Sequence, residues 1–238
     1  MENNSNISNQ HRLSIRFSSD GFSLYIHDES NKLISSKEIS CSTFAITKKE
    51  IINLLSNETE TLHEFKKIEL ICESSVYTSI PSTFFNAENA SDFLKFQFKK
   101  GEIESIICNT IPTIDNVIIF SIPKALHNAL EAHFGNISII HHLTHLLLKE
   151  ISGTKENIVH IQIRSTFFDA IVETNGKIQL INSFAYNSNE DICYYILNIF
   201  EKLSLDSETC QVKLYNAKNK LNLKILLEKY IKNCFLVN

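Results

Sequence analysis

Leu13-Ser14-Ile15-Arg16-Phe17 and Val159-His160-Ile161-Gln162-Ile163 carry the same alternation of apolar and polar residues in the two halves of the chain. Such alternation is typical of a strand with one buried face. Each stretch is followed by a turn and a second alternating run, over residues 22–26 in the first half and 167–172 in the second. A third run follows in each half. The pattern therefore predicts a three-stranded antiparallel meander that occurs twice.

Each meander is followed by a helix, a strand and a second helix. In the second half, the apolar spacing predicts helices over 191–203 and 221–231 and a strand over 210–215. In the first half, it predicts a strand over 67–73 and a helix over 124–134. This order of elements is typical of a ribonuclease H-like lobe, and two such lobes in tandem form the actin-like ATPase fold.

The predicted fold class is therefore α/β with mixed sheets: an actin-like ATPase fold made by tandem duplication of a ribonuclease H-like lobe. We expect a disordered tail over residues 1–11, because this polar segment buries too little apolar surface to become ordered. The lobes are predicted over 12–135 and 136–238. A capping box of Thr47 and Glu50 predicts a helix after the first meander.

Several segments carry a family resemblance: residues 12–28, Phe120-Ser121-Ile122-Pro123-Lys124, Ile140-His141-His142, Asn182-Ser183-Phe184, Glu190-Asp191 and Tyr194-Tyr195. Together they resemble an uncharacterised bacterial protein family that has an actin-like ATPase fold and no assigned activity. The plan is also similar to that of the cytoplasmic actin-like assembly proteins of type IV pili and type II secretion, some of which bind nucleotide and some of which do not. The resemblance implies a fold and leaves the chemistry open.

The charge balance argues against nucleic-acid recognition. Lysines and arginines number 23 against 27 aspartates and glutamates, which leaves a formal net charge of −4. The arginines are Arg12, Arg16 and Arg164. Bidentate recognition of phosphate or guanine depends on the planar guanidinium group, which is scarce in this chain. We therefore predict no nucleic-acid partner.

The apolar runs of the sequence are short. A membrane-spanning helix requires roughly 20 consecutive apolar residues, so we predict no membrane span. The chain begins without a recognisable secretion signal, and its six cysteines are scattered without a CxxC pair. We therefore expect buried thiols and a cytoplasmic protein.

An actin-like ATPase holds its phosphates between two glycine-rich hairpins, because a backbone without Cβ atoms approaches the phosphates closely. The first hairpin keeps Asp20 and Gly21, whereas the second has Arg164, Ser165 and Thr166 and no glycine. An Asp-Gly pair also favours a hairpin turn without any ligand. The sequence therefore predicts a pseudo-ATPase with no cofactor. The alternative is an ATP-binding switch with Asp20, Gly21, Ser165 and Thr166 as cofactor-binding residues, in which Asp20 lies near the metal and Ser165 or Thr166 at the phosphates.

His141 and His145 have the four-residue spacing of two zinc ligands on one helix face. An HExxH motif requires a glutamate where His142 stands, and no cysteine pair lies nearby in the sequence. We therefore favour packed histidines on a helix predicted over 141–151 and expect no metal site. A metal-dependent hydrolase that uses His141 and His145 is the third hypothesis.

The sequence contains no P-loop, nucleophile elbow or dinucleotide fingerprint, so we predict no catalytic residues. The intact repeat combined with eroded phosphate hairpins favours a non-enzymatic protein that binds another protein. The identity of that partner is left open by the sequence.

Overall fold

The computed structural model describes residues 11–18, 21–30, 32–40, 65–135, 138–151, 155–217 and 221–237. The chain forms two compact units, the first ending at Leu148 and the second beginning at Lys149. A strand over Ile139–His141 pairs within the first unit. The lobe boundary after residue 135 stays a prediction. The predicted helix after Thr47 and all of the predicted tail except His11 lie outside the described residues.

The strands of the first unit are β1 (Arg12–Ser18), β2 (Gly21–His27), β3 (Leu33–Ser40), β4 (Lys67–Cys72), β5 (Tyr77–Pro81), β6 (Ser105–Ile111), β7 (Asn116–Ile122) and β8 (Ile139–His141). Five of them form a mixed sheet in the order β3-β2-β1-β4-β8. The β1–β2 and β2–β3 pairs are antiparallel, whereas β1–β4 and β4–β8 are parallel. Leu13, Ile15 and Phe17 of β1 are buried, as their alternation predicts.

The other three strands of the first unit form a separate antiparallel sheet with β7 in the middle. All of β7 after Asn116 is buried, as expected for an apolar strand inside a covered sheet. Val117 and Ile119 pack with Ala90 and Leu94 of helix α1 (Ala90–Lys95). Two 3₁₀ turns, Ser82–Phe84 and Ala87–Asn89, precede α1. Helix α2 (Lys124–Phe134) follows β7.

The strands of the second unit are β9 (Ile158–Ile163), β10 (Phe167–Thr174), β11 (Lys177–Ala185), β12 (Gln211–Tyr215) and β13 (Asn233–Val237). They form one mixed sheet in the order β11-β10-β9-β12-β13. Its antiparallel and parallel pairs occupy the same places as in the five-stranded sheet of the first unit. The predicted common plan of the two sheets is confirmed. That the units arose by duplication stays a prediction.

The remaining helices are α3 (His142–Glu150), α4 (Asn189–Lys202) and α5 (Leu221–Leu227). One face of the second sheet packs on α4 and α5, with Ile161, Ala170 and Leu214 from the strands meeting Ile196 and Leu223 from the helices. Burial of these side chains is the dominant favourable term in the folding of this unit. Helix α5 ends earlier than the predicted residue 231 because the chain turns after Leu227.

Ser188 caps the N-terminus of α4. Its Oγ accepts a hydrogen bond from the Asp191 N–H at 3.1 Å, and Asp191 Oδ2 accepts one from the Ser188 N–H at 3.0 Å. This reciprocal capping box provides acceptors for N–H groups that the first turn of a helix leaves without intrahelical partners. The cap also explains why α4 begins at Asn189, before the predicted residue 191.

We expect replacement of Ser188 by Ala to lower the free energy of unfolding by about 1 kcal/mol, because one cap hydrogen bond is lost. Urea denaturation followed by circular dichroism measures this difference. Ser165→Ala, at an exposed turn serine, is the matched control and should leave stability unchanged. Equal stability of Ser188→Ala and the wild-type protein would show that the cap contributes nothing.

Candidate functional site

The hairpin between β1 and β2 holds the first pair of predicted nucleotide-binding residues. Asp20 lies outside the described residues, whereas Gly21 begins β2 and pairs with Ser18 across the hairpin. Gly21 has φ 145°, a backbone conformation that favours glycine. The Ser18 Oγ also donates to the Gly21 carbonyl at 3.2 Å. The backbone conformation of Gly21 itself is therefore sufficient to explain this glycine.

The hairpin between β9 and β10 holds the second pair, Ser165 and Thr166, whose side chains are exposed. The turn is attached to the end of β11 through Tyr186. The Tyr186 hydroxyl donates to the Arg164 carbonyl at 2.6 Å, and the Tyr186 N–H donates to the Thr166 carbonyl at 3.2 Å. Two carbonyl groups of the turn are thereby fixed against the neighbouring strand.

The backbone of this second turn lacks the geometry of a phosphate nest. A nest requires successive N–H groups that converge through a residue in the left-handed conformation. The described residues with positive φ lie elsewhere in the chain: Gly21, Asp115, Gly135, Asn175, Gly176, Ser204 and Asn216. Ser165 and Thr166 therefore offer hydroxyl groups at an exposed turn without a cradle of backbone donors.

Arg164 belongs to a buried ion pair below this turn. Its Nε lies 3.6 Å from Asp169 Oδ2, and the two side chains are 6% and 0% exposed. The Ser183 hydroxyl donates to Asp169 Oδ1 at 2.5 Å. The Asp169 carboxylate is therefore held by the charge of Arg164, which follows β9, and by a hydrogen bond from Ser183 of β11. The Arg164 guanidinium group is therefore directed at a carboxylate of its own chain.

Asp169 is one of several polar residues on the face of the second sheet opposite its apolar core. Register places Asp169 of β10 beside Gln162 of β9, and Lys213 of β12 beside His160 of β9. His160, Gln162, Asp169 and Glu173 are all buried. Burying a polar group costs free energy unless the group is hydrogen-bonded or paired with an opposite charge. The contacts of these four residues therefore matter for the stability of the unit.

His160 lies at the centre of a row of these groups. Its Nδ1 is 2.9 Å from the Tyr215 hydroxyl, which in turn donates to Glu150 Oε2 at 3.1 Å. On the other side, His160 Nε2 is 3.9 Å from Glu173 Oε2. Burial, reinforced by the positive charge of Lys213, lowers the pKa of His160 to about 4. Burial and the Glu150 carboxylate raise the pKa of Tyr215.

His141 lies elsewhere than the sequence predicted. It ends strand β8 and does not share a helix face with His145, because Asn109 fixes this part of the strand. Asn109 Oδ1 accepts from the His141 N–H at 2.7 Å, and Asn109 Nδ2 donates to the Ile139 carbonyl at 3.0 Å. Asn109 is distant from His141 in the sequence. For this reason the four-residue spacing of His141 and His145 wrongly predicted a shared helix face.

Both ring nitrogens of His141 are engaged with the backbone. Nδ1 accepts from the Leu143 N–H at 3.3 Å, and Nε2 lies 3.0 Å from the Ser74 carbonyl, to which it donates. This arrangement leaves no lone pair for a metal. His145 is instead 4.0 Å from Glu69 Oε2. Across the described part of the chain, no three His, Cys, Asp or Glu side chains are grouped closely enough to hold a metal ion.

The sequence missed most of these polar contacts. One signal was available, because polar residues recur at alternate positions on both β9 and β10 and therefore share one sheet face. Of the adjacent tyrosines on α4, Tyr194 is 66% exposed, whereas Tyr195 packs on the core, as their positions on different helix faces require.

The common order of the two five-stranded sheets defines a protein of actin-like ATPase fold. None of the helices in the described ranges is long and apolar enough to cross a membrane. A family model described as "Protein of unknown function (DUF3822)" matches residues 1–234. The chain belongs to this family. Comparison with proteins of curated function finds no match.

Solved structures show the same fold. A Bacteroides thetaiotaomicron protein, described as having an actin-like ATPase fold and unknown function, is 26% identical with a TM-score of 0.83, over 100% of this chain and 95% of that one. The PilM–PilN type IV pilus biogenesis complex matches at 10% identity and a TM-score of 0.56, over 95% and 88%. Ethanolamine utilization protein EutJ from Carboxydothermus hydrogenoformans matches at 8% identity and a TM-score of 0.51, over 95% and 84%.

Proposed function

We propose that this protein is a non-enzymatic member of the actin-like fold that acts by binding another protein. The observation that carries the proposal is the turn between β9 and β10. Its guanidinium group is directed at Asp169, its carbonyl groups bond to Tyr186, and residues 164–166 all have negative φ. Phosphate binding by this fold depends on open backbone N–H groups in such a turn. A turn whose carbonyl groups are bonded to the end of the neighbouring strand is better suited to stability than to nucleotide exchange.

Two further observations support a protein partner. The PilM–PilN structure is a complex in which a protein of this fold is found with another protein. The second unit also exposes large apolar side chains on its helices, among them Tyr194, Leu221 and Ile225. We propose the bacterial cytoplasm as the location, since the five described cysteines are thiols, which persist in reducing compartments.

The first experiment is calorimetric titration of the full chain with ATP and ADP, each with and without magnesium. We expect no heat of binding at millimolar nucleotide, and no thermal shift, because the second turn supplies no phosphate nest. A nucleotide present at one hundred times its Kd would stabilise the protein by about 2.7 kcal/mol, which a melting curve detects readily. Saturable binding with magnesium would overturn the proposal.

The second experiment tests the partner. In-cell crosslinking of the full chain, followed by mass spectrometry, should recover a discrete protein partner. Binding of the purified partner should then have the same affinity with and without ATP and magnesium. A partner that binds only in the presence of nucleotide would contradict the proposal that the protein is non-enzymatic. Failure of the chain to crosslink to any protein would contradict the proposal that it acts by binding one.

The ATP-dependent switch is the alternative that the same titration evaluates. It uses Asp20 near the metal together with Ser165 or Thr166, whose hydroxyl groups are exposed at the turn. It predicts a magnesium-dependent shift that Asp20→Ala abolishes and Ser91→Ala, at a distant serine of α1, leaves intact.

A further inference from the structure

A continuous row of polar groups crosses the buried face of the second sheet. It starts at Glu150 on α3, whose side chain is 20% exposed, and ends at Glu173 on β10, whose side chain is 1% exposed. Tyr215 and His160 lie between them, on adjacent strands. Each of the two inner groups is able both to donate and to accept a proton. The row therefore connects a fully buried carboxyl group with one that reaches water.

The hydrogen bonds of the row have a direction. The Tyr215 hydroxyl donates to Glu150 Oε2, so its oxygen accepts from His160, whose Nδ1 must carry the proton. His160 Nε2 is then a bare lone pair. It is fully buried, it has no hydrogen-bond partner, and it faces Glu173 Oε2. Neutral histidine is the form that burial favours at this position.

We propose that Glu173, His160, Tyr215 and Glu150 form a proton relay through which the buried Glu173 exchanges its proton with solvent. A protonated Glu173 transfers its proton to His160 Nε2, which breaks the carboxyl O–H bond and forms N–H. His160 Nδ1 passes its own proton to the Tyr215 oxygen, and Tyr215 passes its hydroxyl proton to Glu150 Oε2. One proton leaves Glu173, one arrives at Glu150, and both inner groups end neutral.

Closing the relay requires a small movement. The 3.9 Å separation of His160 Nε2 and Glu173 Oε2 must shorten by about 1 Å to reach hydrogen-bond length. Lys213, beside His160 on β12, is the other charged group that faces the ring, and it disfavours a lasting imidazolium. The proton is therefore passed on rather than retained by His160. The consequence is a pH-sensitive charge on a sheet face that water does not reach.

The test is infrared difference spectroscopy of the full chain between pH 5 and pH 8. The C=O stretch of a protonated carboxyl group should grow as the pH falls, and Glu173→Gln should remove the Glu173 part of this band. Tyr215→Phe keeps the ring and deletes the hydroxyl. We expect it to leave the final band intact but to slow its appearance after a pH jump by at least tenfold.

Tyr194→Phe is the matched control, because it deletes an exposed tyrosine hydroxyl outside the row, and its rate should equal that of the wild-type protein. Nitrogen-15 NMR of His160 provides a second readout, because the relay converts the Nδ1–H tautomer, present while Glu173 is protonated at pH 5, into the Nε2–H tautomer after the proton has left at pH 8. The relay is overturned by an unchanged rate in Tyr215→Phe, by a band that Glu173→Gln does not alter, or by a His160 tautomer that is the same at pH 5 and pH 8. Equal melting temperatures of the variants verify that folding is intact.

Discussion

Replacement of Asp169 by Asn should lower the free energy of unfolding by about 3–5 kcal/mol, because it leaves the Arg164 guanidinium buried beside an uncharged group. The two side chains are 6% and 0% exposed, so water does not compensate the lost carboxylate. Asn keeps the size of the side chain and still accepts a hydrogen bond from Ser183, which isolates the effect of charge. Urea denaturation at pH 7 measures the change.

Two companion variants make this experiment decisive. Glu208→Gln removes a carboxylate that is 3.1 Å from Lys232 but well exposed, and it should cost at most about 1 kcal/mol. Arg164→Met combined with Asp169→Asn removes both charges and should recover part of the stability lost in the single variant. A loss for Asp169→Asn no larger than that for Glu208→Gln would contradict a buried ion pair beneath the hairpin.

Acid should destabilise the protein through His160. Its pKa in the folded state is about 4, compared with 6.5 in the unfolded chain. Between these values the unfolded chain binds a proton that the folded protein excludes, so the free energy of unfolding falls as the pH falls through this window. The contribution is fully present above pH 6.5 and lost below pH 4. The loss amounts to about 3 kcal/mol, from 1.36 kcal/mol per pKa unit.

Denaturation curves collected at half-unit intervals from pH 7.5 to pH 4 measure this dependence. His160→Asn places an amide N–H where Nδ1–H stands and does not titrate, so its stability should fall less steeply over the same window. His127→Asn, on the partly exposed surface of α2, should retain the wild-type slope. Parallel curves for the wild-type protein and His160→Asn would show that this histidine is not the source of acid sensitivity.

Strands β1 and β9 could be predicted from the sequence because each of them has an apolar face. Ile15 and Ile161 alternate with polar neighbours, and burial of the apolar side is what their pattern predicts. His141 was misassigned because its conformation depends on Asn109, a residue about 30 positions earlier whose amide bonds to β8. A local pattern does not report such a long-range contact.

The candidate site was only partly predictable, for a related reason. Alternation suggests that the polar residues of a strand face water. His160 and Glu173 follow that pattern and are nevertheless fully buried. Their burial depends on what packs over the second face of the sheet, which is a property of tertiary structure. The sequence shows that the second hairpin lacks the glycine of a phosphate-binding turn. It does not show that Arg164 pairs with Asp169.

The separate sheet formed by β5, β6 and β7 delays the completion of the first five-stranded sheet. In chain order, this sheet and α2 lie between the paired strands β4 and β8, whereas α5 alone lies between the paired strands β12 and β13. Chain entropy makes distant pairings slower to form than near ones. The amino-terminal half therefore has the slower route to its native topology. Because the ribosome releases that half first, it begins to fold before the second half has been synthesised.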